Sequence, residues 1–248
     1  MKKTIITILA MAGVAVADSV TVTPLTADAT EWSDISLRDR ATWTHDATAG
    51  TMTLNNSNWG QAVSTYDLTP NLILESFSFN LSRGTASAGV SITLIGMDEA
   101  ISFGSKDYTS GELFYGKTTT IDAASYSLNT AWDEGTTVTP TSLLADALNY
   151  NATASISGTT AVNADGELIL TLSASSTATS NTGSATINLG KDFVLDKIMI
   201  CGDGANNSTG IWTVSNMSVK GTPVIPEPTT ATLSLLALAG LAARRRRR

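Results

Sequence analysis

Between residues 18 and 221 the chain alternates apolar side chains with Ser, Thr and Asn at a period of two. The clearest stretches are 51–54, 72–81, 90–95, 167–173, 185–189 and 211–219, with a denser apolar run at 193–200. A period of two places successive side chains on opposite faces of an extended strand. Ser and Thr at the alternate positions are typical of strands with one solvated face. The pattern therefore predicts many β-strands.

Turn residues separate these stretches. Asn163-Ala164-Asp165-Gly166 predicts a hairpin turn, and residues 202–207 predict the connection between the last two strands. Only residues 141–148 have helical spacing, with Thr141 as a candidate N-cap. We find no repeat of fixed period. The sequence predicts an all-β fold, a β-sandwich of jelly-roll type with at most one short helix, in one domain spanning residues 18–221.

Charge and cysteine content limit the functions of this domain. The formal net charge of the chain is −7, but residues 18–221 hold eight basic and 21 acidic residues, and 8 − 21 gives −13. Nucleic-acid binding needs clustered Lys and Arg, so we predict no nucleic-acid partner. The single cysteine, Cys201, excludes an intramolecular disulfide and lies in an apolar run. We expect it to be buried, because free Cys behaves as a small hydrophobe.

The N-terminus has the three parts of a secretory signal. Lys2 and Lys3 precede an apolar stretch at 4–14, and Ala15-Val16-Ala17 has small residues at the positions that signal peptidase reads. Residues 1–17 are thus predicted to form a signal helix. Cleavage by signal peptidase after Ala17 would follow export across the inner membrane.

The C-terminal residues 222–248 combine three unlike elements. Pro226-Glu227-Pro228 lies in a proline-rich stretch, and fifteen uncharged residues follow at 229–243. The chain then ends on five consecutive arginines: Arg244, Arg245, Arg246, Arg247 and Arg248. A helix of fifteen residues spans about 22 Å, which is shorter than a hydrocarbon core of about 30 Å. The arginines are expected on the cytoplasmic side, leaving the domain on the other.

This tail closely resembles the PEP-CTERM sorting signal of Gram-negative bacteria. The resemblance implies that Pro226, Glu227 and Pro228 are recognised by an exosortase, a transpeptidase-like membrane enzyme. It also implies that the apolar helix holds the protein in the membrane transiently and that the arginines stop translocation. Processing would then deliver the protein to the cell surface, the outer membrane or the exopolysaccharide matrix. The alternative is an ordinary C-terminal membrane anchor.

The domain itself is similar to concanavalin A-like and laminin-G-like jelly rolls. The similarity lies in three short pieces, 42–44, 165–168 and 210–216. It implies the sandwich fold and does not assign a ligand.

The sequence offers little to build a catalytic site. The one histidine, His45, lies beside Asp46, and no Gly-x-Ser-x-Gly motif accompanies it, so we interpret it as a surface side chain at a strand end. Glycoside hydrolysis needs two placed carboxylates. Glu75 is alone in its strand, and the adjacent pairs Asp98-Glu99 and Asp133-Glu134 would point to opposite faces. We therefore predict that the protein is not an enzyme.

No cofactor is predicted, and calcium is the ion that the oxygen-bearing loops suit best. Two loops offer such oxygens: Asp203, Asn206 and Asn207 in one, and Asn163, Asp165 and Glu167 in the other. Turn formation accounts for the same residues.

Sugar contacts are predicted at tryptophans in polar, loop-like stretches. Trp32, Trp59 and Trp132 lie in such stretches, and Asn58-Trp59 is the most suggestive pair. The alternative is that these side chains cover the edges of the sandwich. Trp43 and Trp212 lie in strands and are predicted to be core. Two functions follow: a non-enzymatic surface or matrix protein that binds polysaccharide or adheres, or a jelly-roll glycoside hydrolase.

Overall fold

The computed structural model describes residues 18–38, 41–56, 61–84, 89–105, 111–118, 140–190, 193–203 and 208–224. These residues form fourteen strands and two short 3-10 helices, Pro24–Thr26 and Ala29–Glu31. The strands are β1 Val20–Val22, β2 Trp32–Arg38, β3 Ala41–Asp46, β4 Thr51–Asn56, β5 Gln61–Arg83, β6 Val90–Gly96, β7 Ala100–Ser105, β8 Leu113–Thr118, β9 Thr141–Leu144, β10 Thr153–Val162, β11 Leu168–Ser176, β12 Thr182–Gly190, β13 Val194–Asp203 and β14 Ser208–Pro223.

The long strand β5 belongs to both layers of the fold. Its residues 61–67 pair with β2 and β13, and its residues 76–82 pair with β10 and β14. Thr69 and Pro70, joined by a cis peptide bond, lie between the two parts. All pairings among the described strands are antiparallel, and they join the strands into one sheet that folds on itself along β5.

The two layers follow from these pairings. The first layer has the order β12, β11, β10, β5, β14, β4, β3, with β1 beside the end of β14. The second layer has the order β2, β5, β13, β6, β7, β8, β9. This arrangement confirms the predicted all-β sandwich, and none of the described residues forms an α-helix.

The core lies between the layers, where the apolar members of the alternation meet. Phe77 and Phe79 of the first layer contact Phe103 of the second, with ring centroids 5.2 and 5.9 Å apart. Gly202 of β13 faces Leu54 so closely that an added Cβ would lie 2.6 Å from its Cδ2 atom. Close packing of this kind fixes the separation of the two layers.

Predictions about single buried side chains can be compared with the structure. Cys201 is a free, fully buried cysteine, and Trp43 and Trp212 lie in the core, as predicted. Trp32 is different: it begins β2, is only 7% exposed, and its indole N–H donates to the carbonyl of Pro24 at 3.0 Å. Its assignment to a loop-like stretch was wrong, because Trp32 is the first residue of β2 and its indole bonds to the 3-10 helix Pro24–Thr26.

The predicted helix at 141–148 is also wrong. Residues 141–144 form β9, which pairs with β8, and a turn follows in which Asp146 has a φ of 56°. Leu144 and Leu148 are buried by this arrangement. Apolar residues three to four positions apart are compatible with a short strand followed by a turn as well as with a helix. Here the edge of β8 offers backbone hydrogen-bond partners to an extended segment, and a helix would leave these groups unpaired.

The two terminal segments, residues 1–17 and 225–248, lie outside the described residues. The signal helix, its cleavage residues Ala15 and Ala17, the apolar C-terminal helix and the sorting residues therefore stay predictions. Among the residues that are described, no helix is long and apolar enough to cross a membrane.

Candidate functional site

Hydroxyl side chains line up across the outer face of the first layer. The strand register places five serines opposite one another on neighbouring strands, a set we call the serine row: Ser184, Ser173, Ser157, Ser78 and Ser218. A second row runs beside it: Thr182, Ser175, Ser155, Asn80 and Ser215. Since neighbouring strands lie about 4.8 Å apart, each row presents a polar group at that interval.

Except for their β14 members, Ser218 and Ser215, the two rows line a groove of ≈ 530 Å³, and Asn216 is the lining residue from β14. This volume falls within the range of about 300–1,000 Å³ that is usual for ligand sites. The polar lining residues are Ser78, Asn80, Ser155, Ser157, Ser173, Ser175, Thr182, Ser184 and Asn216, and the others are Phe79, Ile156, Ala174 and Gly183. The described lining therefore contains hydroxyl and carboxamide groups and no charged side chain.

The polar groups in this groove are available to a ligand. Among the described residues, no side-chain hydrogen bond is formed by the lining hydroxyls, by Asn80 or by Asn216. Two residues further along β5, outside the groove, the hydroxyls are paired: those of Ser82 and Thr153 are 2.8 Å apart and bond to each other. Each hydroxyl carries one donor and two acceptor sites, and each carboxamide carries two donors and one acceptor oxygen.

Asn216 enters the groove from an irregularity in β14. Ser215 lies opposite Asn80 and Ser218 lies opposite Ser78, so β14 has one residue more than β5 in this interval. Asn216 is exposed and has a φ of 52°. Bulges of this kind re-aim side chains at sheet faces.

The sequence predicts sugar contacts at residues other than those that the described part of the chain places in this groove. Asn58, Trp59 and Trp132 lie outside the described residues, so their role stays a prediction. The groove itself was missed. Its sequence signal is Ser-x-Ser or Thr-x-Ser in consecutive strands, at 155–157, 173–175 and 182–184. Such repeats are common in exposed strands, and only the register shows that they meet.

Glu75, the carboxylate considered for hydrolysis, is held by three partners. Its Oε2 atom lies 2.8 Å from Lys220 Nζ, and its Oε1 atom accepts from Thr222 Oγ1 at 2.8 Å and from the hydroxyl of Ser19. The hydrogen bond from Lys220, followed by those from Ser19 and Thr222, lowers the pKa of Glu75 to about 2. A carboxylate that stays ionised and is bonded at both oxygens is unsuited to act as a general acid.

The carboxylate of Glu99, from the pair Asp98-Glu99, also has a bonding partner. Glu99 forms an ion pair with Lys117 at 2.5 Å, and the same lysine donates to the carbonyl of Asn188 at 2.8 Å. Neither Glu75 nor Glu99 lines the groove. The pair Asp133-Glu134 lies outside the described residues.

His45 is a packing residue. Its Nε2 atom lies 2.8 Å from the carbonyl oxygen of Leu25, to which it donates, and its ring meets Trp32 edge-on with centroids 6.0 Å apart. The side chain is half-buried rather than at the surface, which corrects that part of the prediction. His45 is covered for the same reason as Trp32, because both rings bond to backbone carbonyls of the 3-10 helix Pro24–Thr26.

The loop at Asn163 is a hairpin turn between β10 and β11, as predicted. Asn163 Oδ1 accepts from the backbone N–H groups of Asp165 and Glu167, both at 2.9 Å, and Gly166 has a φ of 77°. The described residues contain no group of three or more His, Cys, Asp or Glu side chains placed to hold a metal ion. The side chains of Asp203, Asn206 and Asn207 are outside the described set.

Comparison with known proteins returned only distant similarity. No protein-family model and no curated protein matches the chain. Among solved structures, an alginate lyase from Aplysia kurodai is 10% identical over 84% of this chain and 99% of its own, with a TM-score of 0.48. The β-glucanase of Bacillus licheniformis is 11% identical over 83% and 98%, with a TM-score of 0.45. The CBM2 module of a Lactobacillus casei phage protein is 9% identical over 85% and 99%, with a TM-score of 0.47.

The network around Glu75 yields a prediction about acid stability. Its folded pKa lies below the ordinary value of 4.5, so its contribution is complete above pH 4.5 and is lost as the pH falls toward 2. The group is partly exposed, so the contribution should not exceed about 1 kcal/mol. Urea unfolding of Glu75→Gln should show lower stability than the wild type at pH 6, with the difference disappearing near pH 2.

Asp165→Asn is the control, because this residue lies in an exposed turn. It should leave the pH dependence unchanged. A Glu75→Gln protein as stable as the wild type at pH 6 would show that the network contributes nothing.

Proposed function

We propose that this chain is an exported surface or matrix protein that binds neutral polysaccharide in the groove of the first layer, without chemical conversion. The observation that carries the proposal is the groove lining: two aligned rows of hydroxyl and carboxamide groups with no charge among the described lining residues. Sugar hydroxyls both donate and accept hydrogen bonds, and the lining groups match them in both respects.

The charge distribution favours neutral over anionic polysaccharides. The domain carries a net charge of −13 between residues 18 and 221, and the described groove contributes no cation to offset it. A polyanion would therefore be repelled at long range and would find no Lys or Arg in the described lining. A neutral polysaccharide is not repelled by this charge and needs no Lys or Arg as a partner.

The expected affinity is modest. A hydrogen bond that replaces bonds to water contributes about 0.5–1.5 kcal/mol. The described lining has no Trp or Tyr on which a sugar ring would stack. Binding would thus depend on several hydroxyl contacts formed together along an extended chain, which suits a polymer better than a single sugar.

A glycoside hydrolase is the alternative function, and the described groove does not favour it. Both glycosidase mechanisms need two carboxyl groups beside the scissile bond, about 5–9.5 Å apart. The described lining contains none, and Glu75 is ionised and bonded elsewhere. These observations support a binding role.

Export and sorting are proposed on the sequence alone. The signal-peptide pattern ending at Ala17 and the Pro-Glu-Pro, apolar and arginine elements after residue 222 support passage across the inner membrane and processing by an exosortase. Signal peptidase, the exosortase and, transiently, the membrane are then partners of the full chain.

Ser173→Arg tests the groove directly. Ser173 is exposed and lines the groove, and an arginine there would fill the groove and displace hydroxyl contacts. Affinity electrophoresis through gels containing neutral glucan, mannan or galactan should show retardation of the wild type by at least one polymer. The variant should bind about tenfold more weakly, which is the loss of roughly 1.4 kcal/mol.

Thr171→Arg is the matched control, because Thr171 lies two residues away on the same strand and face but does not line the groove. It should bind as the wild type does. Binding to none of the neutral polymers, or equal binding by both arginine variants, would refute the groove as the site. Release of reducing sugar that Glu75→Gln abolishes would instead establish the hydrolase.

Replacement of Pro226, Glu227 and Pro228 by alanine tests the sorting proposal. In the native host the wild type should be found at the cell surface or in the matrix in a processed form. The triple variant should remain in the inner-membrane fraction at higher mass, as immunoblots of fractionated cells would show. Normal processing of the variant would contradict recognition of the tripeptide.

A further inference from the structure

The bulge in β14 brings one further residue, Asn216, into the proposed polysaccharide site. In a regular strand the residue after Ser215 would point to the core, because Ser215 itself faces outward. The extra residue breaks this alternation, so Asn216 is exposed while Met217 is buried and Ser218 returns to the outer face. The bulge therefore adds a polar group to the groove that a regular strand would not present.

The backbone at this position would accept glycine more readily than asparagine. A φ of 52° lies in the left-handed region, which glycine adopts without the steric cost that a Cβ brings. The side chain of Asn216 forms no hydrogen bond with the described residues that would explain its presence. It is exposed and aimed into the groove, where Asn80 lies opposite the preceding residue.

We propose that Asn216 and Asn80 form a carboxamide subsite at the β14 end of the groove, which distinguishes the orientation of hydroxyl groups on a neutral sugar. This inference rests on the proposed function. A carboxamide offers donors and an acceptor in one plane, so it bonds well to hydroxyls in one arrangement and poorly to their epimers. A row of serine hydroxyls, which rotate freely, contributes affinity with less discrimination.

Asn216→Gly removes the side chain and keeps the backbone conformation, so it tests the contribution of the side chain alone. Glycine suits the left-handed position, so the variant should fold and melt at the same temperature as the wild type or higher. Its affinity for the preferred neutral polysaccharide should fall about tenfold, the loss expected for one to two hydrogen bonds. The ratio of its affinities for glucan and mannan, which differ in the orientation of one hydroxyl, should move toward one.

Asn151→Gly is the matched control. Asn151 is also an exposed asparagine at positive φ, 60°, and does not line the groove. Its melting temperature should likewise equal or exceed that of the wild type, and it should keep the affinity and the glucan-to-mannan ratio of the wild type. Asn216→Asp, which keeps the size and removes the amide donors, should lose discrimination as Asn216→Gly does.

The outcomes separate this inference from the function on which it rests. If the wild type binds none of the neutral polysaccharides, the proposed function fails. If it binds and Asn216→Gly binds equally well, the subsite is refuted and the bulge only shapes β14. If Asn216→Gly loses affinity while the glucan-to-mannan ratio is unchanged, recognition of hydroxyl orientation is refuted.

Discussion

Strand β5 supplies backbone hydrogen bonds to both layers over its 23 residues, and the arrangement of the other strands depends on it. Its first part aligns β2 and β13, and its second part aligns β10 and β14. The same strand places Phe77 and Phe79 against Phe103 of the opposite layer. Because side chains alternate along β5, the pairing that buries these rings also turns Ser78 and Asn80 outward.

The groove follows from that register. A shift of one residue in any strand pair would move a serine of the row into the core, so burial of the apolar set keeps the hydroxyls aligned. At the bulge the alternation is broken, so Asn216 is exposed next to the outward-facing Ser215. Neutral polar groups at strand spacing, on a domain that is acidic elsewhere, account for the proposed preference for uncharged polysaccharide.

The period-two pattern predicts the strands and the sandwich because alternation is a local property. Burial of Cys201 follows from its apolar run, and burial of Trp43 and Trp212 follows from their places in strands. Residues 141–148 were wrongly predicted as a helix, because their pairing partner, β8, is more than twenty residues away. Trp32 and His45 are covered by a turn that periodicity does not reveal. The serine row is a property of four separate strand pairings, so no single stretch of sequence could indicate it.

The central claim is that neutral polysaccharide binds the outer face of the first layer, and amide chemical-shift mapping tests it most directly. Titration of the isotope-labelled protein with neutral oligosaccharides should shift the amide signals of residues 78–80, 155–157 and 173–175, with Asn216 among them. The signals of β6 and β7, in the opposite layer, should stay in place. Shifts confined to the second layer, or none with any neutral oligosaccharide, would contradict the account.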